Sequence, residues 1–205
     1  MENQRLTSVS CPAKVPLFLS CSARGPARFV AGASQAYVLM QEAGVPLNLR
    51  FEKGPYGPYA KNLRHVLSLI EGHLVSGYGD ADDKPWRPIE LLPGVSQNSS
   101  SVIAAHPETQ QRFERVARLI HGFETPFGLE LLSTVHWVAT REGACSIDEV
   151  VTETYEWIDR KKIFQSDQLR LAWRVLKEQG WLPTTLILAR RSEATSPSRG
   201  PQDIP

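Results

Sequence analysis

Cysteine is scarce in this chain of 205 residues, which has only Cys11, Cys21 and Cys145 and no CxxC spacing. An odd number of cysteines without that spacing indicates neither a disulfide framework nor a zinc site. The apolar stretch at 15–23 is too short, and interrupted by Pro16, to be a signal peptide. No run approaches the roughly 20 apolar residues that span a bilayer. We therefore expect a cytoplasmic protein without a membrane partner.

Recognisable catalytic motifs are also missing. The sequence has no GxSxG motif and no P-loop or dinucleotide-binding glycine pattern. The histidines form no HExxH or HxH pattern, so no zinc site is indicated; they are His65, His73, His106, His121 and His136. We therefore predict no catalytic, cofactor or metal residue, and a protein that is not an enzyme.

Neither sign of charge dominates, because 23 Lys and Arg stand against 22 Asp and Glu, for a net charge of +1. This balance excludes a strongly basic nucleic-acid binder and an acidic tail protein. Apolar residues make up 41% of the chain, which is enough for a folded core. Within 37–182, 19 acidic residues outnumber 16 basic ones, so the part expected to fold is mildly acidic.

Composition divides the chain into five segments. Residues 1–33 lack helical and strand periodicity and are expected to form a poorly ordered lead-in, and 191–205 a disordered tail. A stretch rich in serine predicts a linker over 95–106. The linker separates an α/β module at 34–94 from a helical module at 107–190.

Periodicity places the elements of the first module. Helices are expected at 34–43 and 58–71, the second of them beginning at Pro58, because proline suits the first position of a helix. Alternation of apolar and polar residues predicts a half-buried strand at 47–51. Short strands are expected at 73–76 and 89–92.

Capping signals place the helices of the second module. Helices are expected from 107 to 122, from 126 to 143, from 147 to 158 and from 167 to 179, and Ser146 and Ser166 are the predicted N-caps of the last two. An extended segment should follow at 181–189. The predicted fold class is mainly α with short β-strands, α+β, in two small modules of which the second is winged-helix-like.

The segment from Lys53 to His65 is the most informative part of the sequence. Two Gly-Pro-Tyr units fix the backbone and expose the rings of Tyr56 and Tyr59. Lys61, Asn62, Arg64 and His65 follow on the first turns of the predicted helix. Three interpretations are compatible with this pattern: an interaction surface, an anion cradle at a helix N-terminus, or a rigid turn whose tyrosines pack on the module.

A second loop contains Tyr78 and a cluster of three carboxylates, Asp80, Asp82 and Asp83. Carboxylates can bind Mg²⁺ or Ca²⁺, but this spacing fits no calcium loop. A solvated loop and an imitation of DNA phosphates are the other two interpretations, and the local sequence does not separate them.

Three segments carry a resemblance to a known family: QEAG at 41–44, YGPYAKNLRH at 56–65 and EGHLVSGYGD at 71–80. With the residues around them, over about 36–182, they resemble the C-terminal domain of DarG, the antitoxin family of DarTG toxin–antitoxin systems. The resemblance implies a partner, DarT, which ADP-ribosylates bases of single-stranded DNA. It also implies that this domain occupies the DNA site of the toxin as a mimic of single-stranded DNA.

The DarG family also has an N-terminal macrodomain that removes the modification. Residues 1–33 are too short for a macrodomain and lack its glycine-rich loops, so hydrolase activity is not expected here. We therefore predict a non-enzymatic antitoxin domain that binds and blocks a DarT-like ADP-ribosyltransferase. Its predicted toxin-binding residues are Tyr56, Tyr59, Lys61, Asn62, Arg64, His65, Tyr78, Asp80, Asp82 and Asp83, and the tyrosines and aspartates among them are expected to form one continuous surface.

Two other functions are compatible with the sequence. A winged-helix DNA-binding regulator would contact DNA through the last helix, whose outer face carries Arg170, Arg174 and Lys177, although Glu149 and Glu153 on the preceding helix would repel DNA. The other is a remnant related to a macrodomain ADP-ribosyl hydrolase. Nucleic acid is an expected partner only of the regulator.

Overall fold

A computed structural model describes residues 33–78, 89–95 and 104–183. The predicted lead-in up to residue 32, most of the predicted linker and the predicted tail lie outside these residues. The described part contains six α-helices and four short strands, which are α1 (Ala33–Glu42), β1 (Phe51–Gly54), β2 (Gly57–Ala60), α2 (Lys61–Ile70), β3 (Val75–Ser76), β4 (Glu90–Leu91), α3 (Pro107–Ile120), α4 (Pro126–Arg141), α5 (Ile147–Trp157) and α6 (Ser166–Glu178). A 3-10 helix at Asp159–Ile163 lies between α5 and α6. The prediction of a mainly helical α+β chain is confirmed.

These residues fall into two units, one ending at Thr134 and the other beginning at Val135, within α4. Helix α1 is the centre of the first unit, because its residues from Gln35 to Met40 are all buried. A helix that is buried on every side must lie inside a core rather than on its surface. Burial also raises the pKa of the Tyr37 hydroxyl well above its usual value.

The segment between α1 and β1 is extended but forms no ladder. Val45, Leu47 and Leu49 are buried, whereas the residues between them are exposed. Alternation therefore predicted the burial correctly, but the strand begins only at Phe51, and the predicted strand at 47–51 is wrong except at its end. Asn48 has a φ of 54°, a left-handed conformation that interrupts an extended strand.

Strands β1 and β2 form an antiparallel hairpin with Gly54 opposite Gly57 and Phe51 opposite Ala60. Pro58 lies in β2, opposite Lys53, and α2 begins at Lys61. The predicted helix start at Pro58 is therefore wrong. A two-stranded ladder consists only of edges, and at an edge a proline that cannot donate a hydrogen bond is tolerated.

Strands β3 and β4 form a second antiparallel pair, in which Val75 lies opposite Leu91. They confirm the two predicted short strands, with fewer residues in each. The following helix, α3, buries Phe113, Val116, Leu119 and Ile120, whereas Ala117 is exposed.

The second unit shows how the last two helices begin. The side chain of Ser146 accepts a hydrogen bond from the Glu149 main-chain N–H (3.2 Å), which confirms the predicted N-cap of α5. The Glu149 carboxylate accepts from Cys145 N–H (2.8 Å). The predicted cap of α6 is wrong, because Gln165 is the N-cap and exchanges side-chain and main-chain hydrogen bonds with Gln168. Among the described residues, no helix is long and apolar enough to cross a membrane.

Candidate functional site

The tip of the β1–β2 hairpin presents an aromatic side chain to solvent. Pro55 and Tyr56 form the two-residue turn, and Tyr56 is 50% exposed. Gly57 follows with a φ of +104°, a conformation that residues with a side chain rarely adopt. A Cβ at Gly57 would lie 3.4 Å from Thr134 Oγ1 and 3.5 Å from Ser133 Oγ, so the hairpin tip lies directly on α4.

Polar residues of α1 hold this hairpin from inside. Gln35 Nε2 donates a hydrogen bond to the main-chain oxygen of Tyr56 (2.7 Å). Ser34 Oγ accepts one from the main-chain N–H of Ala60 at the other end of β2 (3.3 Å). Gln35 is only 3% exposed, and its Oε1 is buried without a hydrogen-bond partner among the described residues. The hairpin is therefore anchored to the core of the first unit.

Gln41, at the end of α1, holds the segment that leads into β1. Its Nε2 donates to the main-chain oxygen of Leu49 (3.0 Å), and its Oε1 accepts from the Leu49 N–H (2.8 Å). The sequence patterns predicted no positioning role for Gln35 or Gln41. A polar residue inside an otherwise apolar helix was the signal that could have identified Gln35.

Four of the predicted toxin-binding residues lie on this hairpin or at the start of α2. Tyr59 is half-buried in β2, opposite Glu52. Lys61 Nζ lies 2.9 Å from Glu52 Oε1, and the hydrogen bond and charge of Glu52 raise the pKa of the exposed Lys61 ammonium. With Tyr56 and Asn62, these residues form what we call the hairpin surface: Glu52, Tyr56, Tyr59, Lys61 and Asn62.

Asn62 uses its side chain to fasten the chain before β1. Its Oδ1 accepts from the main-chain N–H of Arg50 (3.1 Å), and its Nδ2 donates to the main-chain oxygen of Asn48 (3.0 Å). These bonds stabilise the left-handed turn at Asn48. Further along α2, Arg64 is half-buried and His65 is exposed.

Tyr78 is half-buried, and its main chain is held by Glu71, for which the sequence patterns predicted no role. The Glu71 carboxylate accepts hydrogen bonds from the main-chain N–H groups of Gly77 (3.1 Å) and Tyr78 (3.2 Å). Asp80, Asp82 and Asp83 lie outside the described residues. The continuous surface of tyrosines and aspartates therefore stays a prediction. Among the residues that the structure describes, no three His, Cys, Asp or Glu side chains are grouped so that they could hold a metal ion.

The second unit contains the helix that a DNA-binding regulator would use. On α6, Arg170 is paired with Asp148 of α5, with 2.9 Å between Nη2 and Oδ1. Between these helices, Lys161 is fully buried, and its Nζ lies 5.3 Å from the ring centre of Trp157 and 5.4 Å from that of Phe164. The positive charges of Arg170 and Lys161 therefore have partners within the unit.

No family model matches the chain. A protein named DNA ADP-ribosyl glycohydrolase from Thermus aquaticus is 37% identical over 150 residues, which are 73% of this chain and 41% of that protein. Proteins of the same name from Mycobacterium bovis and Mycobacterium tuberculosis are each 36% identical over 137 residues, 64% of this chain and 39% of theirs. This chain is related to them. It spans about two fifths of the length of the curated relatives it matches.

The names of these relatives correct one prediction. The sequence patterns predicted that the chain is not an enzyme, whereas these three relatives carry the name of an enzyme, a glycohydrolase. The absence of catalytic motifs was too weak a reason to exclude an enzyme, since many active sites are assembled from residues with no local signature. The resemblance to DarG antitoxins agrees with the names of the relatives.

Proposed function

We propose that this chain binds a DarT-like ADP-ribosyltransferase toxin as part of a DarG-type antitoxin, and that the hairpin surface contacts the toxin. Relatedness to the DNA ADP-ribosyl glycohydrolases, over a segment that covers 73% of the chain, is the observation that carries the proposal. The geometry supports the choice of surface. Tyr56 lies in a turn that accepts a hydrogen bond from α1, and the next residue, Gly57, packs against α4.

The proposed mode of blocking is competition with single-stranded DNA. A toxin that modifies DNA bases must bind them, and aromatic side chains that stack on bases contribute about 1–3 kcal/mol per base in single-strand binding sites. The exposed ring of Tyr56 has the shape and the apolar faces to enter such a site in place of a base. Because the hydrogen bond from Gln35 already holds its turn, little main-chain freedom is lost when it binds.

Binding of the full chain to a catalytically inactive DarT-like toxin, measured by calorimetry, tests the proposal. We expect a 1:1 complex with a micromolar or lower dissociation constant. A single-stranded oligonucleotide carrying the target base of the toxin should compete with the chain. An absence of binding at micromolar concentrations refutes the proposal, and binding that the oligonucleotide does not affect refutes competition for the DNA site.

A second candidate function is hydrolysis of ADP-ribosyl groups on DNA, which the names of the relatives favour. Single-stranded DNA carrying the modification is the substrate to use, and release of free ADP-ribose is the readout. Turnover by the chain alone supports this function. If release stays at the rate without protein, the chain lacks it.

A winged-helix-like arrangement of the helical module at 107–190, and with it a DNA-binding regulator, is the remaining proposal. Most of the expected extended segment, at 181–189, lies beyond Pro183, the last described residue. The helix order supports the arrangement, whereas the pairing of Arg170 with Asp148 leaves less positive charge for DNA. Duplex binding that falls steeply as salt rises would support a regulator, and no duplex binding at low salt would exclude it.

A further inference from the structure

Gln35 combines two features that rarely occur together in a buried side chain. Its Nε2 makes a short hydrogen bond to the main-chain oxygen of Tyr56 (2.7 Å), while its Oε1 is buried and has no hydrogen-bond partner in the part of the chain that the structure describes. Its neighbours along α1, from Ala36 to Met40, are apolar and buried. Almost all buried polar atoms in native proteins are paired, so an unpaired one needs a physical explanation.

The two ends of this amide have opposite effects on stability. A hydrogen bond between protein groups contributes modestly to the free energy of unfolding, and a buried polar atom without a partner costs a comparable amount. An apolar side chain of the same length would avoid the cost of Oε1 and pack among the apolar residues of α1. Net stabilisation of the core is therefore a poor explanation for glutamine at this position.

Orientation of the hairpin tip is a better explanation. The bond from Gln35 ends at the turn residue itself, and the Cγ of Gln35 lies 3.6 Å from the place of a Cβ on Gly57. Two short paired strands are marginal on their own and depend on such contacts for a fixed shape. The bond fixes the peptide plane after Tyr56 and thereby limits the directions that its ring can take.

We propose that Gln35 is a positioning residue that holds Tyr56 in the orientation in which it binds the toxin. The proposal rests on the function proposed above, since it needs a toxin-bound state, and it adds a residue that is buried and makes no contact with the partner. Gln35 acts through preorganisation, which improves affinity by removing conformational freedom before binding.

Helix α1 offers a matched control for the test. Gln41 also bonds a main-chain group, but both ends of its amide are paired, and its target is Leu49 rather than the hairpin tip. Gln35→Met should weaken toxin binding about tenfold while the midpoint of thermal unfolding stays the same or rises. Gln41→Met should lower that midpoint and leave the affinity of the folded protein within about twofold.

A double-mutant cycle separates positioning from a general loosening of the fold. If Gln35 acts through the ring of Tyr56, Gln35→Met should have almost no further effect on affinity in a chain that already carries Tyr56→Ala. Effects of the two substitutions that simply add would overturn the proposal, as would an unchanged affinity of Gln35→Met.

The remaining outcomes are equally decisive. Gln35→Leu serves as a second variant in case the Met side chain does not pack. If neither variant folds, Gln35 is a residue of the fold and the positioning role is refuted. If the unmodified chain does not bind the toxin, the proposed function and this inference both fail. If the chain binds the toxin, and Tyr56→Ala weakens binding whereas Gln35→Met does not, only the inference is refuted.

Discussion

Glu52 and Lys61 form an ion pair at the edge of the hairpin surface, with Lys61 Nζ 2.9 Å from Oε1 and 3.2 Å from Oε2 of Glu52. Glu52 lies in β1 and Lys61 is the first residue of α2. The ion pair therefore links the first strand of the hairpin to the helix that follows the second strand. Lys61 belongs to the segment that resembles DarG antitoxins, and on its own its charge would oppose docking to a basic DNA-binding groove. The carboxylate beside it offsets that charge.

The first prediction concerns the rate of association with the toxin. Charges at the rim of an interface mainly alter the association rate. Glu52→Gln leaves the Lys61 charge unbalanced and should slow association about threefold at low salt, whereas Lys61→Met should keep the rate or raise it. Stopped-flow measurements over a range of salt concentrations test this, since the difference should shrink as salt screens both charges. Equal slowing by both substitutions would contradict the expected role of the pair.

The second prediction concerns the Tyr56 ring. Tyr56→Ala should weaken toxin binding by at least about tenfold, because a buried aromatic anchor contributes strongly to an interface. Leu69→Ala is the matched control, as Leu69 is 58% exposed on α2 and lies outside the hairpin surface. The free energy of unfolding should change little in either variant. Similar affinities of the two variants would place the interface elsewhere on the chain.

The sequence predicted the helices well because their periodicity and their caps are local properties. The exposed Tyr56 ring was also expected, since glycine and proline on both sides leave the backbone little choice. Pro58 was assigned to a helix because proline suits a first helical turn and an edge strand alike, and only pairing with Lys53 decides between them. The roles of Gln35 and Glu71 were missed because each depends on residues brought close by the fold.

A third prediction compares two serines that the sequence treated alike. Ser146 caps α5 through the Glu149 N–H, so Ser146→Ala should lower the free energy of unfolding by about 1 kcal/mol. Ser166 is the first residue of α6, and the N-cap of that helix is Gln165. Ser166→Ala should therefore change the free energy of unfolding by less than about 0.5 kcal/mol. Chemical denaturation measures both. A larger loss for Ser166→Ala would restore Ser166 as the cap.

The fourth prediction concerns the charge of Asp159. The hydrogen bond and the charge of Lys162, whose Nζ lies 2.6 Å from Oδ1, hold the pKa of this exposed carboxyl below its usual value of 3.8. A lowered pKa means that the pair contributes stability above pH 3.8 and that this contribution is lost as the pH falls through the folded-state pKa. An NMR titration should show the midpoint of Asp159 below 3.8, and Lys162→Met should move it back towards 3.8. If Lys162→Met leaves the titration midpoint of Asp159 unchanged, the ion pair does not form in solution.

The last prediction reverses an ordinary rule of helix propensity. Alanine is more favourable than glycine inside a helix by about 1 kcal/mol, so Gly128→Ala in the first turn of α4 should stabilise the protein if propensity decides. At Gly128, however, a Cβ would lie only 2.8 Å from the main-chain Cα and O of Phe123. Main-chain atoms cannot rotate away as the end of a side chain can, so α4 or the preceding turn must shift.

We therefore expect Gly128→Ala to lower the free energy of unfolding by about 1–3 kcal/mol, the usual cost of overfilling a packed site. Ser68→Ala on the exposed face of α2 is the control and should have an effect below about 0.5 kcal/mol. Urea denaturation with an unchanged slope would show that both variants unfold from the same native state. If Gly128→Ala instead raises the free energy of unfolding, the main chain between Phe123 and α4 shifts at little cost. The contact with Phe123 would then not fix where the helix begins.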